Sequence, residues 1–508
     1  MKNIFVFNQT VIGSMHISRN IPCEDSSLSF SSEDKKYKIA IVADGHGSSA
    51  CFRSAFGSKT AVDVAFECFK EFADSIFEDE EKEKEFYDNF LNDVRYQEEL
   101  IKRITDTIVS KWHGRVVEHY NNNPVKPDEL KENKDISVYE KNIPHIYGTT
   151  LIAALLFPEC LILIHQGDGR CNLFYADGTV DQPVPWDSRC EFNTTTSMCD
   201  RDVATSIRHC VIDLNKKKVV ACILGSDGIE DAYSDTWESI GNSHNLMGGV
   251  YTFCKYLLCQ IEEVGEEQFK KDLKEMLPDF SENGMFSNCG SGDDVSVAGI
   301  VDVDEIELLV SSFQKDINLY ELEDKLIYQK GLLGSKERKH GILNRRVNDA
   351  QNEIDSVKTK IDSAQQEICN LEKEKADLQM ELENEKRKLM KLKNDASQIN
   401  ENKISIELRA GVDLLLSALG MTEDESKKKA TFNIQRQESL CSEKEKKLSE
   451  IDKLLEEQKN KFEILQSQLK AAEEKRDKAK TEFDEYDVEY QEIQSRIDDI
   501  KNQIAKLG

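Results

Sequence analysis

Four carboxylates stand at the ends of apolar, strand-like runs, each beside glycine. Residues 37–43 run into Asp44-Gly45-His46-Gly47, and residues 161–165 into Gln166-Gly167-Asp168-Gly169-Arg170. Residues 218–224 run into Gly225-Ser226-Asp227-Gly228, and Gly292-Asp293-Asp294 leads straight into the run 295–301. A single Asp-Gly is most often a turn. Asp177-Gly178, after the strand-like residues 172–175, reads as such a hairpin turn. Four of them behind strong strands read as a site, because converging carboxylates repel unless a cation sits between them. Oxygen donors without clustered Cys or His favour hard cations, Mg²⁺ or Mn²⁺. Two such ions clamp a phosphate and generate a hydroxide nucleophile near neutral pH.

The elements that would position these groups fall in residues 1–302, where strands alternate with amphipathic helices around 50–72, 99–120, 237–261 and 268–277. The acidic run 78–85 reads as a solvated helix face, residues 121–124 as a loop, and residues 186–208 as a flap on the substrate side. All 8 prolines and all 3 tryptophans lie before residue 300. Beyond Val303 the chain is rich in Glu, Lys, Gln and Asp with isolated Ile and Leu, which marks the main boundary.

Two heptad runs follow. The first carries His340, Val347, Ile354, Ile361 and onward at one position and Leu343, Ala350, Val357, Ala364 and onward at the other. The second carries Leu448, Leu455, Phe462, Leu469 and onward with Ile451, Gln458, Leu465, Ala472 and onward. Sustained 3.5-residue periodicity indicates coiled coil. The arms are of equal length, about 90 Å each at ~1.5 Å per residue, and residues 400–447 break the register. An antiparallel hairpin is the favoured arrangement, so a monomer is expected; a parallel homodimer with a central defect is the alternative. The domain reading is 1–302 globular, 303–339 helical connector, 340–399 first coiled-coil helix, 400–447 tip, and 448–508 second helix. The apolar cluster 404–419 at the tip either closes the hairpin or docks a partner.

The chain has 508 residues, 67 Lys+Arg and 96 Asp+Glu, hence a formal charge of −29. Like charge excludes wrapping of nucleic acid and lying on an anionic membrane. No run of 18 apolar residues is present, so no membrane span is expected. The first residues lack a secretory signal pattern. The 14 cysteines form no Cys-x-x-Cys pair, and the expectation is a reduced, cytoplasmic protein.

The ordered set Glu24-Asp25, Asp44-Gly45-His46-Gly47, Gly148-Thr149-Thr150, Gly167-Asp168-Gly169-Arg170, Ser226-Asp227-Gly228 and Gly292-Asp293-Asp294-Val295-Ser296 resembles the metal-dependent protein phosphatases of the 2C type. The opening, Gly13-x-x-His16 followed by residues 21–25, resembles their bacterial branch. The resemblance covers residues 8–302. It implies an α+β fold: an α-β-β-α sandwich, here followed by a long all-α coiled-coil arm. It also implies two Mn²⁺ or Mg²⁺ ions at one end of the sandwich, with a third, weaker site in some members.

Carried over residue by residue, Asp44 would bridge both metals and the Gly45 carbonyl would bind the second. Asp227 and Asp293 would bind the first, Glu24 or Asp25 would contact metal-bound waters, and Asp168 with Asp227 would hold the third. A metal-bridging hydroxide would attack the phosphorus of a phosphoserine or phosphothreonine in a protein, and His46 would protonate the leaving oxygen. His16 reads as supporting rather than reacting, and His165 as strand packing. Arg19 matches a phosphate-binding arginine but lies five residues before Glu24 where the family has four. Gly169 stands where many members have serine. The resemblance implies a phosphorylated protein partner, a Ser/Thr kinase or its targets among them, with the coiled coil docking a partner or regulating access. The competing reading is a coiled-coil scaffold whose phosphatase-like domain only binds phosphorylated partners.

Overall fold

The computed structural model describes residues 3–507 apart from 35, 127–128, 131–139, 191–193, 234–245, 288–289, 402–417 and 419–422. The apolar tip cluster 404–419 lies outside the described residues but for position 418, and so do the turn 419–422, Asn193 and the start of the helix expected from 237. Two compact units emerge, Met1–Gly331 with Ser495–Gly508, and Leu332–Gln494.

Among the described residues, the first unit is built on ten strands. Five form an antiparallel sheet in the order β1 (Ile4–Val11), β10 (Val295–Asp302), β9 (Val219–Gly225), β6 (Arg170–Tyr175), β7 (Val180–Asp181). The other five form a second sheet in the order β2 (Ser26–Ser31), β3 (Lys38–Ala43), β4 (Leu151–Leu156), β5 (Cys160–Gln166), β8 (Arg208–Asp213). Side chains of a strand alternate between its faces, and β3 shows both destinations. Ala40 and Val42 turn inward with Ile152, Leu163, Leu173, Leu224 and Ala298, filling the space between the sheets. Ile39, Ile41 and Ala43 turn outward onto a helical layer. That strand is buried on both faces, which is why it reads as an unbroken apolar run.

Helices cover each sheet. On the β3 side, α2 (Ser54–Ile76) buries Gly57, Ala61, Val64, Ala65, Cys68 and Phe69 at helical spacing, and α4 (Val94–Asn122) buries Ile101, Ile108 and Trp112. Between them runs α3 (Glu80–Phe90), whose acidic residues face solvent while Phe86 and Phe90 are buried. Asp79 caps α3 by accepting the Lys82 amide at 2.8 Å. On the β10 side lie α6 (Leu246–Val264) and α7 (Glu266–Asn283). This layer also takes in Phe313 and Ile317, which are buried against it. The globular core therefore continues beyond Val303, because residues 303–320 still carry large apolar side chains before the heptads begin. The shorter helices α1 (Ser14–Arg19) and α5 (Asp227–Asp231) lie at the functional end of the sandwich.

The second unit is drawn from α8 (Val310–Glu401) and α9 (Glu423–Leu507). Their cross-links run in opposite senses along the chain: Lys336 meets Glu489 at 2.7 Å, Glu353 meets Lys475 at 2.8 Å, Lys375 meets Asp452 at 2.6 Å, and Lys393 meets Glu438 at 2.6 Å. The two helices are antiparallel partners within one chain. Heptad positions Leu343, Ala350, Ile354, Val357, Ala364, Ile451, Leu455, Leu465 and Ala472 are buried along the seam. His340, a polar residue at a heptad position, is accommodated by stacking on Tyr490 (centroids 4.2 Å apart) and bonding Asp487 at 2.7 Å. Helix α9 starts at Glu423, upstream of the heptads that begin at Leu448. Its residues 437–445 bury Cys441, seven residues before Leu448, and flank it with polar pairs such as Gln437 with Glu385 and Lys386 with Glu445.

Candidate metal centre and catalytic cleft

The site forms where strand ends from both sheets meet. Asp44 follows β3, Asp168 follows β5, Asp227 follows β9 and opens α5, and Asp293 precedes β10. Carboxylate oxygens of Asp44, Asp168 and Asp227 all lie within 4.8 Å of one another. The same cleft, a cavity of about 710 Å³, is lined by these three, Asp293, Gly45 and His46. Gly45 and Gly228 let the backbone close in: a Cβ at Gly45 would stand 2.4 Å from the Glu24 carbonyl oxygen, and one at Gly228 2.1 Å from that of Asp294.

The Asp44 backbone is clamped by the start of β4. Thr150 Oγ1 accepts the Asp44 amide at 2.9 Å, and the Asp44 carbonyl accepts the Thr150 amide and Thr149 Oγ1, both at 2.8 Å. Behind it, the partly buried Asp25 reaches Ser226, Ser296 and Asp44. Glu24 accepts Ser54 Oγ at 2.6 Å. Neither Glu24 nor Asp25 lines the cleft; they form its back wall.

Crowding of carboxylates shows in their acidity. Burial pushes Asp44 well above the usual carboxylate range, and the nearby Asp227, Asp25, Asp168 and Asp293 push it further. Asp227 is raised likewise by burial and by Asp168. Asp25 is pushed up to about 7 by burial and by Asp294. Burial also raises Asp168, Asp293 and Glu24. Such an arrangement is costly without positive charge among the oxygens, and its donors are all oxygen. The residues present therefore fit hard divalent cations.

His46 lines the cleft, and its buried Nε2 has no hydrogen-bond partner among the described residues. Burial, with His145 nearby, drives the imidazolium down to about 4, so His46 is neutral at pH 7. Arg19, at the end of α1, does not line the cleft. Its side chain is exposed beside Met15, and its charge is felt by Asp293.

His16, expected to support rather than react, lies 3.0 Å from Asp294 Oδ1, 3.6 Å from Asp293 and 4.0 Å from Glu24, so it orders the acidic wall. Two features are not legible from the motifs alone. Asp294 is a structural knot: it accepts the amides of Gly13 at 2.7 Å and Glu24 at 2.6 Å. Cys51 and His145 line the cleft beside His46, and no spacing in the sequence links them to it. The segment expected as a flap does border the site: Trp186, Cys190, Thr194 and Thr195 line the cleft, and Thr195 bonds Asp168.

A family model described as protein phosphatase 2C matches residues 12–278, which is more than half of the chain. Among solved structures, the serine/threonine phosphatase Stp1 from Staphylococcus aureus is 15% identical, covering 59% of this chain and 95% of that one, with a TM-score of 0.34. The S. agalactiae serine/threonine phosphatase is 15% identical, covering 59% and 99%, with a TM-score of 0.33. The catalytic domain of the serine threonine protein phosphatase PstP, solved in complex with two manganese ions, is 17% identical, covering 59% and 97%, with a TM-score of 0.32. No curated protein sequence matches the chain. The α-β-β-α sandwich, the acidic strand ends and the match over 12–278 agree: the chain belongs to the protein phosphatase 2C family of metal-dependent serine/threonine phosphatases.

Proposed function

We propose that this chain hydrolyses phosphoserine and phosphothreonine in a protein substrate at the cleft lined by Asp44, Asp168, Asp227 and Asp293. The observation that carries the reading is the close convergence of three partly buried carboxylates from separate strand ends, each with raised proton affinity. Asp44, the Gly45 carbonyl, Asp227 and Asp293 would hold a pair of Mn²⁺ or Mg²⁺ ions, and Asp168 with Asp227 a third. Such ions, when bound, activate water and neutralise charge on the phosphoryl oxygens.

The chain's own groups do the rest. Asp25 and Glu24 set the charge behind Asp44, and Ser226, Ser296 and Ser54 orient their oxygens. His46 would deliver a proton to the leaving seryl or threonyl oxygen. Its imidazole is neutral in the free protein, so the incoming phosphoryl dianion must raise its proton affinity before it can act as the acid. Arg19 would add attraction for the dianion from the rim. No described helix is long and apolar enough to cross a membrane. The paired helices α8 and α9 serve to dock a protein partner or to regulate access to the site.

The test is hydrolysis of p-nitrophenyl phosphate and of a phosphothreonine peptide with Mn²⁺. Asp44→Ala and Asp227→Ala should each abolish both activities, and activity surviving in either variant would overturn the assignment. Arg19→Ala should raise KM with little change in kcat; unchanged KM removes Arg19 from the phosphate site.

A further inference from the structure

Of the three tryptophans, Trp112 is fully buried inside the helical layer, whereas Trp186 is 45% exposed and lines the cleft that holds Asp44, Asp227 and Asp293. It is held there firmly. The Arg170 guanidinium lies 3.9 Å from the centre of the indole. Arg170 is itself held by Glu230, Nη2 to Oε1 at 2.6 Å, with a second contact from Nε to Oε2. Both of these side chains are nearly buried. On either side of Trp186 the chain is tied to Arg208, which donates to the Pro185 carbonyl at 2.7 Å and sits 3.9 Å from the Asp187 carboxylate. Arg208 also donates to the Gly167 carbonyl at 2.6 Å, next to Asp168.

Displaying a large indole in water forgoes about 25 cal/mol for each Å² left exposed. A rigid, part-exposed Trp at a cleft is the kind of group that anchors a partner. Arg170 supplies no positive charge to the cleft, since Glu230 cancels it. Apart from three histidines, the ionisable groups lining the cleft are Cys51, Cys190 and the carboxylates Asp44, Asp168, Asp227, Glu230, Asp231, Asp293 and Asp294. Ions bound among Asp44, Asp168, Asp227 and Asp293 would offset part of this charge; Asp231, near enough to Asp227 to raise its proton affinity, adds to the acidic lining.

We propose that the exposed face of Trp186 receives a basic side chain flanking the phosphorylated residue, so that the favoured substrate is a phosphopeptide with Arg or Lys beside the phosphoserine. This rests on the phosphatase reading above. A guanidinium over an indole, with carboxylates around it, gains cation–π attraction as well as apolar contact from its stem.

The experiment uses the full chain with Mn²⁺ and one phosphoserine peptide carrying Arg, Gly, Leu or Glu at the flanking positions. For the wild type, kcat/KM should be about tenfold higher for the Arg peptide than for the Gly peptide, through KM, and lowest for the Glu peptide. Trp186→Ala should erase the Arg-over-Gly ratio, Trp186→Phe should keep most of it, and Asp231→Asn should reduce it. Equal values for the Arg and Gly peptides, preference for Leu, or an Arg preference intact in Trp186→Ala would each overturn the proposal while p-nitrophenyl phosphate is still hydrolysed. Failure of the wild type to hydrolyse p-nitrophenyl phosphate would overturn the phosphatase reading, and this proposal with it.

Discussion

Asp294 accepts the backbone amide of Glu24 at 2.6 Å, joining residues 270 positions apart. Its other oxygen takes the amide of Gly13, so one buried carboxylate fixes the N-terminal loop against β10. That loop in turn carries Glu24 and Asp25 to the back of Asp44. Metal-site geometry thus depends on a residue that need not touch a metal.

Asp294→Ala leaves two buried amides without an acceptor. The expected loss is about 3 kcal/mol or more of stability, measured by urea unfolding. Mn²⁺ affinity should fall as well, because Glu24 and Asp25 lose their anchor. A variant as stable as the parent would show that the knot is dispensable.

The pH dependence of the metal-free protein follows from the raised carboxyls. Asp25 is pushed up to about 7 and Asp44 and Asp227 well above their ordinary values. Folded protein therefore keeps protons that unfolded chains release near pH ~4. The stability this contributes is full at low pH and is lost as pH rises through the folded values. Between pH 6.5 and 8.5 the melting temperature in EDTA should fall as pH rises. Below about pH 6.5 the buried His165 and His46, whose proton affinity burial lowers, oppose the trend by favouring the unfolded state. Saturating Mn²⁺ should weaken or reverse the alkaline fall, because bound cations need the deprotonated oxygens. A melting temperature that rises from pH 6.5 to 8.5 in EDTA would contradict the electrostatics described.

Asp44→Asn and Asp227→Asn separate folding from catalysis. Each replaces an ionisable acid in a repelling cluster by a neutral amide, so above the pH at which the cluster loses its protons Tm in EDTA should rise by a few degrees while the stabilisation by Mn²⁺ disappears. Calorimetry with and without metal reads both effects. Lower Tm in EDTA for both variants would mean that hydrogen bonding outweighs repulsion there.

His46→Gln tests the proton donor through the leaving group. A seryl alkoxide needs a proton and p-nitrophenolate does not. The kcat for a phosphoserine peptide should drop about 100-fold, and that for p-nitrophenyl phosphate less than about tenfold. Equal losses on the two substrates would assign His46 to positioning instead.

Lys375→Cys with Asp452→Cys should form a cross-link within one chain, since the parent side chains meet at 2.6 Å. On a non-reducing gel the product should run as a monomer of altered mobility. Dimers as the main product would favour a parallel pair of chains.

Much of this protein is written locally. The apolar runs at residues 38–43 and 295–302, glycines beside the acids, and the heptads after residue 340 follow from side-chain character, side-chain period and backbone freedom, which act over a few residues. They suffice to mark the strands, name Asp44, Asp168, Asp227 and Asp293, and separate a globular part from a helical arm. Tertiary structure alone decided what those acids lean on. Asp294 became a knot, His16 gained its particular partners, and Cys51 and His145 became neighbours of His46, while Trp186 was pinned at the rim by Arg170 and Arg208. Those roles arise from contacts between residues far apart in the chain, where distance and burial set the energy, and no local period or motif encodes them.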